Sequence, residues 1–231
     1  MASANDIQEL SHRVLAGLDA SHDYYTYTKR IWRVMQQVVK EGRKFTFRNL
    51  TTGTVVDEQA LLSRAQRYVT EYHTSFTFQH FVSAFEDFFF DLLRVWLAAY
   101  PGSLSKKQLE FRTVLELGDT EKIVLAVVDK ELNERKYERV ADWFAYFERL
   151  AKLGCPTADE VEQLAEIKAS RDVLVHNKGI VNATYLSKAG HRARFKDGDR
   201  LEISEHYHRA SWETIRKVVR DLSDAALNKF K

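Results

Sequence analysis

One cysteine, two prolines and nine glycines in 231 residues leave this chain few covalent staples and few breakers. A disulfide needs two thiols, so Cys155 cannot build an internal framework, and the composition fits a reducing compartment. Its setting, Leu153-Gly154-Cys155-Pro156, reads as a link between helices, and no nucleophile motif surrounds it. The scarcity of proline and glycine predicts long uninterrupted elements, mostly helices. Charge of one sign is also missing. Lys and Arg number 35 against 33 Asp and Glu, a net charge of +2, so any nucleic-acid surface must be local.

Several templates are absent as well. The chain has no glycine-rich phosphate loop, no G-x-S-x-G and no H-E-x-x-H, which removes the common nucleotide-hydrolase and hydrolase designs. The most apolar stretch, Phe81 to Ala99, is interrupted by Glu86, Asp87, Asp91 and Arg94, which excludes a membrane span. No basic segment followed by an apolar one opens the chain, and a cytoplasmic location is expected.

What is present reads as helices in series. Segments 6–18 and 23–41 are helical, and Ile31, Val34, Met35 and Val38 define one apolar side of the second. Lys44 to Leu50 alternates with period two, Thr51-Thr52-Gly53-Thr54 turns, and Val55-Val56 returns, which predicts a short hairpin. Asp57 caps a helix to about Tyr72. From about Phe76 to Tyr100, apolar residues including Phe78, Phe81, Phe85, Phe88, Phe89, Phe90 and Trp96 surround the whole helix, the mark of a bundle's central member. Glu86 lies among these rings. A carboxylate there must be paired or solvated, unless Glu86, Asp87 and Asp91 form a narrow wet face.

Pro101-Gly102-Ser103 breaks that helix, and Ser103 or Ser105 can cap another from Lys106 to Leu117. Helices follow from Gly118-Asp119 to Asn133 and over 135–152, the latter with Val140, Trp143, Phe144, Phe147 and Leu150 inward. Thr157 with Glu160 three residues later is a capping box, and its helix runs to Lys178, with Gly179 as left-handed cap. Residues 180–200 read as irregular and locally basic, ending in an Asp197-Gly198-Asp199 turn and a short strand over 200–203. Ser204 caps the last helix, with Trp212, Ile215, Val219 and Leu222 inward.

Chemistry concentrates in Arg171-Asp172-Val173-Leu174-Val175-His176-Asn177-Lys178-Gly179. At about 100° per residue, Leu164, Ile167, Leu174 and Val175 form an apolar stripe with Arg171 in its middle. A permanent cation in that position must be paired, line a cleft or meet another chain. Asp172 and His176 stand one turn apart on an adjacent face, so a carboxylate can orient the imidazole. The carbonyl end of a helix favours a cation, which suits a histidine serving as general acid. Arg171 can bind phosphate by two parallel hydrogen bonds and stabilise a phosphorane. The same residues also make an ordinary well-capped helix end. Elsewhere, His206 and His208 at i, i+2 do not share a helical face and lack a third ligand, so no metal or cofactor is expected, and His73 and His80 read as partly buried polar groups.

Arg171-Asp172-x-x-x-His176 resembles the signature of the HEPN superfamily (higher eukaryotes and prokaryotes nucleotide-binding domains). There an arginine is followed by Asn, Asp or His and then, four positions on, by a histidine. The likeness extends over roughly Phe76 to Lys231 and includes Asn177, Gly179 and the Gly198-to-Ser204 run before a final helix. It implies a mainly α, antiparallel bundle over 73–231, with residues 1–72 as a helical and hairpin extension packed on it. It also implies a metal-independent endoribonuclease that leaves 2′,3′-cyclic phosphate ends, acting in toxin–antitoxin or antiviral defence. The expected homodimer would bring two motifs together across a two-fold axis, with an antitoxin or nucleotidyltransferase as a possible further partner. Arg171, Asp172 and His176 would then be catalytic, Asn177 and Glu86 supporting, and Lys178, Arg192, Arg194 and Lys196 would contact RNA. Some members of the superfamily are non-catalytic nucleotide- or protein-binding modules, which is the alternative.

Overall fold

A computed structural model describes residues 3–44, 46–104 and 108–230. The chain is mainly helical, with one two-stranded antiparallel sheet among the described residues. Helix α1 spans Ala4–Lys40, followed by β1 (Phe47–Arg48) and β2 (Val55–Val56). Then come α2 (Glu58–Arg67), a π-helical segment Tyr68–His73, α3 (Thr74–Ala99), α4 (Phe111–Leu117), α5 (Thr120–Arg135) and α6 (Val140–Ala151). Helices α7 (Ala158–His176), α8 (Ala183–Ala189) and α9 (Glu205–Lys229) complete the chain. No helix among the described residues is long and apolar enough to cross a membrane.

Helix α3 is the hub. Its Phe78, Phe81, Phe85, Phe88, Phe89, Leu92, Leu93 and Leu97 are all but inaccessible to water, and α1, α5, α7 and α9 pack around it. Each such side chain contributes about 1.5–3 kcal/mol on burial, so this one helix organises much of the apolar driving force. The aromatic rings interlock in both geometries: Phe89 stacks on Trp143 of α6 at 5.7 Å and meets Phe147 edge-on at 5.9 Å. These neighbours cover most of the circumference and leave a strip with Ser83, Asp87 and Arg94 at the surface.

The caps follow their side chains. Thr157 Oγ1 accepts from the Glu160 amide at 3.3 Å while Glu160 accepts from the Thr157 amide at 2.8 Å, the reciprocal box expected. Asp57 and Ser204 cap α2 and α9 through Ala60 and Tyr207 amides. A second box, Ser3 with Asp6, starts α1 two residues earlier than the periodicity suggests.

The structure departs from the expected layout at several points. The segments 6–18 and 23–41 form one helix, because the polar residues between them face partners on α9. Asp19 takes Arg216 at 2.7 and 3.0 Å, and His22 stacks on Trp212 at 4.0 Å. The side marked by Ile31 and Val34 is exposed, since α1 outruns the bundle. Residue 72, the expected limit of the N-terminal extension, lies within a continuous rod from Glu58 to Ala99, and Ile7, Leu10 and Leu18 of that extension share one core with α3 and α9. The helix before Gly118 is described only from Phe111; its expected start at Ser105-Lys106, like Phe45 of the hairpin, lies outside the described residues. Residues 183–189, read as irregular, are helix α8, capped by Asn182. The strand expected over 200–203 reduces to a single bridge between Ile180 and Arg200. His73 is half-buried as expected, whereas His80 is exposed.

The π-helical turn has a local cause. Tyr68, Val69, Thr70 and Tyr72 are β-branched or aromatic, and the Thr74 hydroxyl donates to the Val69 carbonyl at 2.9 Å, five residues back.

Between α1, α3 and α9 lies a buried histidine. His208 stacks on Tyr25 at 3.9 Å and lies 4.8 Å from Phe81. The Thr77 hydroxyl donates its one proton to the His73 carbonyl at 2.8 Å, so His208 Nε2–H donates to Thr77 Oγ1, also at 2.8 Å. That leaves Nδ1 as a lone pair without a partner. Burial, reinforced by nearby His22, His73 and Lys29, lowers the His208 pKa to about 3. Below the ordinary histidine value the unfolded chain binds a proton that the folded chain refuses. Stability is therefore full above about pH 6.5 and falls as pH drops from there towards about 3, by about 1.4 kcal/mol per unit for one such group. Urea unfolding between pH 7.5 and 5 will show this loss, and His208→Gln will flatten the slope relative to wild type.

Candidate functional site

Helix α7 carries the motif because its N-terminus is boxed by Thr157 and Glu160 and its C-terminus is closed by a tight reversal. Asn177 and Gly179 amides both donate to the Val173 carbonyl, at 3.0 and 3.1 Å. Lys178 and Gly179 are both left-handed (φ 55° and 77°); glycine adopts this freely, a lysine only under constraint. The constraint is lacing to the later segment: Leu201 donates to the Gly179 carbonyl at 2.8 Å and Val181 to Asp199 at 2.9 Å. The Asn177 side chain donates to the Ile180 carbonyl, which makes it a brace for this reversal.

Arg171 lies in the seam between α7 and α3 and pairs with Glu86. Its other nitrogen reaches Asp172 Oδ1 at 3.1 Å. Lys168 Nζ stands 3.2 Å from the second Glu86 oxygen and 3.1 Å from Asp172 Oδ2, where Lys188 of α8 joins at 3.1 Å. Three cations against two carboxylates leave the cluster with one positive charge. The Arg171 and Glu86 side chains are 15% and 19% exposed, so the pair sits largely out of water and each charge requires the other. This resolves the position of Arg171 on an apolar stripe within a single chain. Burial alone pushes the Asp172 carboxyl up, but Lys168 and Lys188 outweigh it and hold the carboxyl below its usual range.

His176 is elsewhere. It occupies the last turn of α7, exposed, and makes no hydrogen bond or ion pair among the described residues. The expectation that Asp172 orients it is corrected: both carboxylate oxygens are taken by Arg171, Lys168 and Lys188. Five residues of straight helix turn Arg171 and His176 about 140° apart, so one chain does not bring them together. Exposed Val175 and Ile180, at 48% and 39%, flank the histidine.

The basic segment divides. Arg194 is a strut, not a free cation: it bonds Glu166 at 3.0 Å and Ser170 at 3.1 Å and lies 3.4 Å from the Tyr207 ring centre. Glu166 is buried and also takes the Tyr185 and Tyr207 hydroxyls at 2.9 and 2.6 Å. Arg192 pairs with Asp159 and with Glu162, which ties the loop to the start of α7. Arg192 and Arg194, expected to contact RNA, are thus both engaged in ion pairs within the chain. Lys178, Lys196 and Arg200 are exposed, with no ion pair of their side chains among the described residues.

Sequence reading missed Lys168 and the Glu166 network, and it took Lys188 and Arg200 only as members of the basic segment 188–200, since such roles depend on contacts distant in sequence. His206 and His208 part company, one exposed and one buried, and no group of three His, Cys, Asp or Glu side chains among the described residues is placed to hold a metal ion.

No protein-family model, curated protein or solved structure matches the chain.

Glu86→Gln will lower the unfolding free energy by about 1–3 kcal/mol, as Arg171 and Lys168 lose a charged acceptor in a poorly solvated seam. Glu86→Leu combined with Arg171→Met will recover most of that loss in urea titrations, because the pair is then replaced by apolar volume.

Proposed function

We propose that the protein is a metal-independent endoribonuclease of HEPN type that acts as a homodimer. The observation carrying this reading is His176: an exposed imidazole without an in-chain partner, at the end of the helix that also holds Arg171. The Arg171-Asp172-x-x-x-His176 spacing supports the family assignment.

In this reading a second chain meets the first at the C-terminal ends of α7, over exposed Val175 and Ile180. Two His176 side chains then face one RNA backbone. One removes the proton from the 2′-OH, which attacks the adjacent phosphorus, and the 5′-oxygen leaves with a proton from an imidazolium. The product is a 2′,3′-cyclic phosphate. Exposed Lys178 and Lys196 attract the backbone, and Arg171 supplies positive charge from the net-cationic cluster behind the histidine. Asp172 anchors the cluster and does not touch the imidazole.

A second reading, a non-catalytic nucleotide- or protein-binding module, is favoured by one specific observation. Arg171 is already engaged by Glu86 and Asp172 and has no free fork to offer a phosphorane.

Incubation with single-stranded RNA in EDTA separates the two. Wild type will release fragments with cyclic phosphate ends, and His176→Ala will do so at least about 100-fold more slowly. Equal rates in wild type and His176→Ala, or no cleavage at all, reject the ribonuclease.

A further inference from the structure

At the C-terminal end of α7 the seam with α3 opens into a cleft of about 560 Å³. Its walls come from three parts of the chain: Arg67, Tyr72 and Phe76 from the α2–α3 rod, Lys178 from the reversal after α7, and Arg200 from the segment before α9. Leu174, one turn from Arg171, forms part of the floor, and Ser75 lies on the same face of α3 as Glu86. The cleft therefore lies at the mouth of the seam that buries the charged cluster.

Two features of this cleft fit one ligand. The first is an aromatic ladder. Tyr68, Tyr72 and Phe76 recur every four residues, with ring centres 6.1 and 6.2 Å apart. Tyr72 is 41% and Phe76 64% exposed, an arrangement costly in apolar surface for a wall with nothing to cover it. The π-helical turn shifts the register within this span, Tyr68–His73. The second feature is charge. Lys178 and Arg200 are exposed with no ion pair of their side chains among the described residues, whereas Arg67 donates to the Tyr72 hydroxyl at 3.1 Å and pairs with Glu71 at 3.5 Å, and Glu202 also lines the cleft. Left-handed backbone at Lys178, pinned by the Gly179–Leu201 lacing, holds its side chain at the cleft.

Exposed rings on one wall and two unpaired cations, Lys178 and Arg200, on the others match a nucleic acid whose bases are not paired. Stacking on aromatic rings is indifferent to base identity, and the cations take the phosphates. The ring spacing exceeds the about 3.4 Å rise of a stacked strand, which favours an extended single strand over a duplex. We infer that this cleft is a single-stranded RNA subsite, in which Tyr72 and Phe76 stack bases while Lys178 and Arg200 hold the backbone as it leads towards His176. The inference rests on the RNA-directed reading above, and it adds where unpaired bases are gripped and why a duplex is a poor substrate.

The test is fluorescence anisotropy with a short fluorescein-labelled oligouridylate carrying 2′-O-methyl groups, which cannot be cleaved. Wild type will bind it, and will bind the same strand more weakly once it is annealed to its complement. Tyr72→Ala with Phe76→Ala will weaken binding about ten-fold or more, with circular dichroism unchanged because both rings are exposed. Lys178→Ala and Arg200→Ala will each lower the slope of log affinity against log salt by about 0.7. No binding by wild type, duplex binding as tight as single-strand binding, or unaltered affinity in the ring variant each overturns the inference. So does a loss of self-association in the ring variant at unchanged RNA affinity, which would make the ladder a contact between copies of this chain. Cleavage in EDTA that survives with unaltered affinity in the ring variant removes the subsite and leaves the ribonuclease. Binding that behaves as expected without cleavage removes the ribonuclease and leaves the subsite.

Discussion

A helix that is apolar on every side cannot rest on a surface; it has to be enclosed. Helix α3 comes close to this, since only a strip with Ser83, Asp87 and Arg94 faces water, and its enclosure by α1, α5, α7 and α9 dictates most of the architecture. Glu86 lies on the side of α3 packed against α7, where a carboxylate must find its partner inside the bundle. Glu86 does so in α7, and the seam between these two helices becomes a place where charge is held away from water. The fold and the candidate chemistry thus share one origin.

The charge cluster has a double character. Arg171, Lys168 and Lys188 neutralise Glu86 and Asp172 and leave a net positive charge, which projects towards the helix end where His176 stands. The same ion pairs fix Arg171 in place. A cation so held offers a field more readily than a free fork, and that distinction separates the catalytic from the binding reading. Around it, Arg192 and Arg194 act as struts that fasten the 190–200 segment onto α7, so the surface charge that remains is that of Lys178, Lys196 and Arg200.

Much of the site was legible before any coordinates. Arg171 on an apolar stripe demanded a partner, and Glu86 among phenylalanines demanded one too; each is the other's answer. The capping box at Thr157 placed α7 correctly, and Ser204 placed α9. Angular bookkeeping also separated Arg171 from His176, and the structure keeps them apart. Less legible was the fate of Asp172. On a helical wheel it faces His176, but Lys188 arrives from α8, sixteen residues on, and takes its oxygen. Local spacing ranks near neighbours in sequence, whereas electrostatics ranks near neighbours in space.

Sequence alone determined the helical class, the central position of the phenylalanine-rich segment, the caps that begin α2, α7 and α9, and the residues that carry ionisable chemistry, because these depend on periodicity and on contacts three or four residues long. Tertiary structure alone decided that α1 is one helix, that residues 58–99 form one rod, that Arg194 is tied to the buried Glu166 and to Tyr207, and that Tyr72 and Phe76 meet Lys178 and Arg200 across a cleft. These follow from contacts between residues tens or hundreds of positions apart. Their energies depend on which surfaces the packing of α3 leaves facing one another, and no window along the chain contains that information.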